Sequence, residues 1–423
     1  MLVGLLLVLP AATHAQITWT GEGDGTSWSD AANWSPQQVP GSGDDVVIDL
    51  STDDDYTVQV ATSRTVARLR LDIRQATLEL GADLTVNGPY THNWGQLTGS
   101  GDLVVEGELT WDNDTMQGTG LTVANGGGQI DSGDLDARRF VVSGRDTVRR
   151  TGSFAGRNGA VLEIESGATL AYRTNRSMYE ASESTSPPSI INRGTLSVMA
   201  DLADISWTLE NHGTLEVEPD RRLRFEGPLT DAGGTYRAAG PDGQLDLRPD
   251  ADVTFDESST LAAEAGALLS LSHSADTDSS PAITVEGTYD VKGTTKLGEK
   301  SPAVEVTVAS SADVQNLGEE RLVVGDRGRL SVETTDALMI GRLDLNSRGE
   351  LTVNGPFTVE ESLNLNNASA RFESDQDVTV KGRLRWEGGI VAGVGTTTAE
   401  GGLTLSGGAG SASNNKRFEG HRI

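Results

Sequence analysis

The 423-residue chain predicts an all-β protein, a single-stranded right-handed parallel β-helix of the pectin-lyase-like solenoid type, with coils of about 19–22 residues. Three observations carry that expectation. Glycine and tryptophan signals recur at matched offsets: Leu109-Thr110-Trp111 precedes Gly118-Thr119-Gly120 just as Leu384-Arg385-Trp386 precedes Gly393-Val394-Gly395. An Asn-x-Gly-Thr-Leu-x-Val phrase occurs at Asn192–Val198 and again at Asn211–Val217. Between such copies runs a beat of very short alternating segments, such as Ala76–Leu80, Val161–Ile164, Gln244–Leu247 and Arg342–Leu345. Each puts two apolar residues on one face, the period-2 mark of a half-buried strand. Two apolar side chains cannot bury a core alone, but stacked coils cover one another.

Taken in chain order, residues 1–15 read as a signal peptide. Leu2–Leu9 is apolar but too short to span a bilayer, and Thr13 and Ala15 are the small residues expected before cleavage ahead of Gln16. Residues 16–50 form a distinct entry segment holding three of the seven tryptophans, Trp19, Trp28 and Trp34. They are expected to lie as a cap over the exposed apolar end that every solenoid has; a sugar-stacking platform is the alternative. The solenoid is expected over 51–410. Polar stretches at 171–190, 273–281 and 292–302 interrupt its beat and read as loop insertions. Residues 411–423 read as a flexible tail, either a weak cap or a point where a longer chain has been cut.

The entry segment runs Trp19-Thr20-Gly21, Trp28, Asn33-Trp34, Val39-Pro40, then Asp44-Asp45-Val46-Val47-Ile48. In that order it resembles the start of bacterial secreted and surface proteins with right-handed parallel β-helix repeats, of the autotransporter-passenger and filamentous-adhesin kind. The resemblance covers about 35 residues, against a coil period of about 20. It implies a secreted or cell-surface adhesive solenoid and carries over no catalytic residue.

Composition excludes several function classes. No cysteine is present, so disulfides, thiolate metal sites and cysteine nucleophiles are ruled out together. The net charge of −29 disfavours nucleic acid, which needs a basic surface. No segment after the leader is long and apolar enough to span a membrane as a helix. Arginine outnumbers lysine 28 to five. Many carboxylates with few lysines resemble salt-adapted proteomes, where a Debye length of about 3 Å at 1 M salt weakens self-repulsion; an ordinary acidic extracellular surface is the other reading.

Catalytic signals are sparse. His92, His212 and His273 stand in unrelated contexts without metal-pair spacing, and the hydrolase signatures of pectin-degrading β-helices are absent. No cofactor is expected. Calcium could find oxygen ligands at Asp44-Asp45, Asp53-Asp54-Asp55 or Asp276 and Asp278, although solvated acidic turns account for them better, given how many ligands calcium needs. The function expected is a secreted or cell-surface, non-catalytic structural or adhesive protein making multivalent contacts with extracellular glycans or surface proteins. A carbohydrate-active β-helix enzyme, a polysaccharide lyase or glycoside hydrolase, is the alternative. The expected contact residues are Tyr172, Arg173, Arg176 and Tyr179 in the 171–190 stretch, since Tyr and Arg are enriched at binding hot spots.

Overall fold

The computed structural model describes residues 15–273, 281–298, 303–406, 416–420 and 422. The chain winds into a parallel β-solenoid of about 17 turns with almost no helix, as expected. At about 4.8 Å per turn, the array is roughly 80 Å long. A typical turn contributes three short strands to three columns. Thr195–Val198, Ala203–Ile205 and Thr208–Asn211 make one turn, and Thr214–Val217, Arg222–Phe225 and Leu229–Asp231 make the next. Strands stack in register from turn to turn: Leu196 lies over Leu215, Ile205 over Phe225 and Leu209 over Leu229. The alternating pattern is the reason. Each strand points two apolar side chains inward, and the turns above and below complete their burial.

Turn length varies more than the expected period. Asn192 and Asn211 occupy equivalent positions 19 residues apart, whereas Asn316 reaches Asp290 across 26. The extra residues sit at corners, where they leave strand register untouched. Some strands also run longer than the sequence suggests, because they continue through a corner: Arg68–Leu80 and Phe357–Ser374 each serve two or more columns.

Two of the three expected insertions are partly array. Tyr172 closes the strand Thr169–Tyr172, and Met178–Glu180 is a strand stacked on Phe154–Gly156. The stretch 171–190 is therefore two short loops around a strand. Thr294–Leu297 is likewise a strand, stacked on Leu268–Leu271. It escaped notice because Thr294 and Lys296 point outward, and its inward pair is Leu297 with the buried hydroxyl of Thr295, bonded to Tyr289 Oη at 3.0 Å. Of the 273–281 stretch only His273 and Pro281 are described. The leader, apart from Ala15, and residues 299–302 lie outside the described residues. In the expected tail, Lys416–Glu419 is a parallel strand beside Gly389–Ala392 rather than a free end. Glu419 also accepts from Arg371 at 2.9 Å.

Trp19, Trp28 and Trp34 are all buried at the first turn. Trp34 meets the other two edge-to-face, with ring centroids 4.9 and 4.8 Å away, and its Nε1 donates to the Trp28 carbonyl at 2.8 Å. Asn33 explains its own place in the motif. Its Oδ1 accepts from the Gly23 and Gly25 amides, and its Nδ2 donates to Asp24 Oδ1 at 2.7 Å. Asp24 also accepts from the Thr26 and Ser27 amides, which holds its carboxyl below the usual range. The loop 23–27 is thus wired to the tryptophan layer of the first described turn.

The Gly-x-Gly marks are corners. Gly99, Gly118 and Gly393 take φ of 106°, 95° and 105°, a region open to glycine. A Cβ on Gly120 or Gly395 would strike the carbonyl of the residue one turn below, Gly101 or Gln376. Into the corner carbonyls reaches a fully buried arginine, Arg138. Its Nε donates to Thr122 Oγ1 at 2.8 Å and its Nη2 to the Leu121 and Gly101 carbonyls at 2.9 and 3.2 Å. Weaker contacts at 3.4 Å reach Gly99 and Gln117. The guanidinium ties several turns together through oxygen dipoles. Replacing it by methionine keeps the stem but orphans those oxygens, so Arg138→Met should lower stability by roughly 3 kcal/mol, read as a shifted urea midpoint.

A second buried polar group makes stability depend on pH. His92 packs parallel to Trp111, and its Nε2 donates to the Gly95 carbonyl at 2.5 Å. Burial pushes its pKa down to about 4. Below the unfolded value of about 6.5 the unfolded chain takes up a proton that the folded chain refuses. Stability held at neutral pH is therefore lost as pH falls from about 6.5 toward 4, by up to roughly 3 kcal/mol. His92→Phe should remove that slope in denaturation titrations; an unchanged slope would assign it to carboxylates.

Candidate functional site: a polar face with a row of clefts

The strands of the second column are Met178–Glu180, Ala203–Ile205, Arg222–Phe225, Gln244–Leu247, Leu268–Leu271, Thr294–Leu297 and Arg321–Val324. The column then continues through Arg342–Leu345, Ser362–Leu365 and Arg383–Trp386. Their inward residues belong to the core. Their outward residues form columns, one running Asp204, Arg224, Asp246, Ser270, Lys296, Val323, Asp344, Asn364 and Arg385. Five shallow clefts of about 360–540 Å³ lie along this sheet and its corners.

The first cleft, about 500 Å³, is lined by Arg173–Arg176 and by Met199, Ala200 and Asp201. Arg173 and Met199 also border the next, with Glu218, Pro219 and Arg221. A buried framework shapes its wall. Arg150 is almost wholly buried, its guanidinium 4.2 Å from the centre of the Tyr172 ring. Its Nη1 and Nη2 donate to the Arg176 and Ser177 carbonyls at 2.9 and 2.7 Å. Tyr172 Oη donates to the Arg176 carbonyl at 2.6 Å, and burial raises its pKa to about 12. The Leu202 amide donates to Asn175 Oδ1 at 3.2 Å. The loop 173–177 is therefore pinned from beneath, while the Arg173 and Arg176 side chains are exposed.

Of the four residues expected to make contacts, the structure brings Arg173 and Arg176 to one cleft. Tyr179 is 45% exposed on the same sheet. Tyr172 is the correction: it is buried beneath the loop and supports it, because strand alternation turns its ring inward. Arg150 was not foreseen. Its signal is the doublet Arg149-Arg150 inside a strand, where a period of two sends one arginine into the core.

The last cleft, about 540 Å³, is lined among others by Arg342, Asp344, Glu361, Arg383, Arg385 and Glu387. Asp344 is buried; it accepts from Arg321 Nε at 2.7 Å and Asn364 Nδ2 at 2.6 Å. Glu361 lies 3.8 Å from Arg342. No histidine lines any of these five clefts. Among the described residues the carboxyl pushed upward is elsewhere: Asp112, raised by burial and by neighbouring Asp131, in the turn after Trp111. Asp44 accepts from the Gly41 amide and Asp45 pairs with Arg68. Asp53, Asp54 and Asp55 are exposed, and Asp276 and Asp278 lie outside the described residues. Among the described residues no three or more His, Asp or Glu side chains gather around a common point.

Many carboxylates elsewhere on the surface are bridged across turns by arginine. Glu163 joins Arg139 and Arg193, and Arg237 joins Glu216 and Glu264. A planar fork suits that bridging better than an ammonium, which gives the arginine excess a structural reason.

The pinning is testable. Arg150→Met should free the loop, raising trypsin cleavage after Arg173 and Arg176 at least tenfold, while amide protection in Thr235–Ala238 stays unchanged. No protein-family model matches the chain, and no curated protein or solved structure matches it either.

Proposed function

We propose that this is a secreted or cell-surface, non-catalytic adhesive rod that binds extended extracellular polymers, glycans foremost, along its second column. The observation that carries the reading is the series of shallow clefts distributed along the second column and its corners. A face of that form offers many modest contacts in a line, and linked contacts gain affinity through effective concentration rather than through any single deep pocket. The leader-like start and the tryptophan entry segment supply the extracellular address. Two carboxylates of the last cleft support adhesion over catalysis. A glycosidase needs an acid and a base at defined separation, whereas Asp344 is tied to Arg321 and Asn364 and Glu361 faces Arg342.

The absence of cysteine permits a clean test. A single cysteine is placed at Ser362 on the second column or at Arg329 on the third, and each is coupled to a bulky polyethylene glycol maleimide. Retention on immobilised extracellular polysaccharide should fall at least tenfold for the Ser362→Cys conjugate and stay unchanged for Arg329→Cys. Incubation should release no reducing ends. Equal retention by both conjugates, or steady release of sugar ends, would overturn the reading.

A further inference from the structure

The cations of the second column are not treated alike along its length. In the middle several are matched to carboxylates. Arg224 pairs with Asp204 at 2.9 Å, Arg248 with Asp246 at 2.5 Å and Arg321 with Asp344 at 2.6 Å. At each end one pair is not. Among the described residues, the guanidiniums of Arg173 and Arg176 in the first cleft, and of Arg383 and Arg385 in the last, have no hydrogen-bond or ion-pair partner. All four side chains are exposed. In a chain of net charge −29 that bridges so many arginines to carboxylates, two unpaired pairs at opposite ends of one face call for an external anion. The wall of the first cleft is also prepared in advance, since Arg150 and Tyr172 hold the backbone between Arg173 and Met178. A preorganised loop loses less freedom on binding.

We infer that the two end clefts grip carboxylate or sulfate groups on one linear acidic polysaccharide, which lies along the second column and is anchored at both ends. The inference rests on the adhesive reading and names the ligand class of the same face. From Met178–Glu180 to Arg383–Trp386 the column climbs nine strand-to-strand steps, or about 43 Å at about 4.8 Å each. A polymer is needed to reach both anchors. Guanidinium is the fitting group, because its fork meets a carboxylate or sulfate with two parallel hydrogen bonds. The overall negative charge does not forbid this. At physiological salt the Debye length is about 8 Å, so a bound anion feels the nearest charges, and Asp204, Asp246 and Asp344 between the anchors are already paired. Two-point attachment adds an effective-concentration gain of about 10²–10⁴ over a single anchor, provided the chain spans both sites.

Binding of three polymers to the full chain tests the inference: polygalacturonate, dextran sulfate and neutral dextran, each long enough to span the anchors, alongside the trisaccharide of galacturonate. The long acidic polymers should bind at least 100-fold tighter than the trisaccharide and than neutral dextran, with affinity falling as salt rises. Arg173→Ala/Arg176→Ala and Arg383→Ala/Arg385→Ala should each cost the long acidic polymer 10-fold or more. The trisaccharide should lose only the sites removed. All four side chains are exposed, and unchanged circular dichroism verifies folding. If neutral dextran binds as tightly as the acidic polymers and is blocked by the Ser362→Cys conjugate, the acidic specificity is wrong while the adhesive reading survives. If only one pair matters, two-point anchoring is wrong. If no polymer binds, both readings fall together.

Discussion

The hydrogen-bonded stacking of one turn on the next governs everything else in this molecule. Parallel pairing fixes the spacing of neighbouring strands at about 4.8 Å and their register to the residue. Once Leu196 stands over Leu215, the inward residues must form continuous apolar columns and the outward residues continuous polar ones. A strand with only two inward side chains is stable because its neighbours complete the burial. Its outward arginines find carboxylates because the next turn brings one within reach. The first described turn is different in kind, because three tryptophans and the Asn33-wired loop are gathered there.

Interior polar groups serve the stacking too. Asn192 Nδ2 donates to Asn211 Oδ1 at 2.7 Å and to the Thr214 carbonyl at 3.0 Å, so the recurring asparagine of the Asn-x-Gly phrase is a rung between buried corners. Arg138 does the same for the glycine corners and Arg150 for the 173–177 loop. A partnered polar group inside an otherwise apolar array fixes register, since a slip would orphan it.

The fold was readable because its constraint is local and repeated. Glycines such as Gly99 and Gly118 must recur where backbones approach most closely, and Leu-x-Val or Leu-x-Leu triplets must recur between them. Turn length was harder to read, because corners accept extra residues at little cost to the strands. Strands with one apolar inward residue, such as Met178–Glu180 and Thr294–Leu297, resembled loops. Of the candidate site, Arg173 and Arg176 were legible from composition, while the inward turn of Tyr172 was not. The strand boundary that decides its direction depends on pairing with Val198 and its neighbours one turn away. The clefts of the second column were invisible for the same reason: their lining residues, such as Asp344 and Arg385, are about 40 positions apart in sequence and become neighbours only through stacking.

Stacking also makes the dimensions of the binding face come in steps. A solenoid of this kind can lengthen or shorten by one complete turn, and the contacts above and below the splice are the same kind as before. Each such event moves features on opposite sides of it by a fixed increment of about 4.8 Å along the axis. A residue inserted at a corner, by contrast, leaves the axial spacing as it was. The distance between any two points on the face is thus a counted quantity, set by the number of intervening turns. A lineage can reset it by duplicating a turn without redesigning either point.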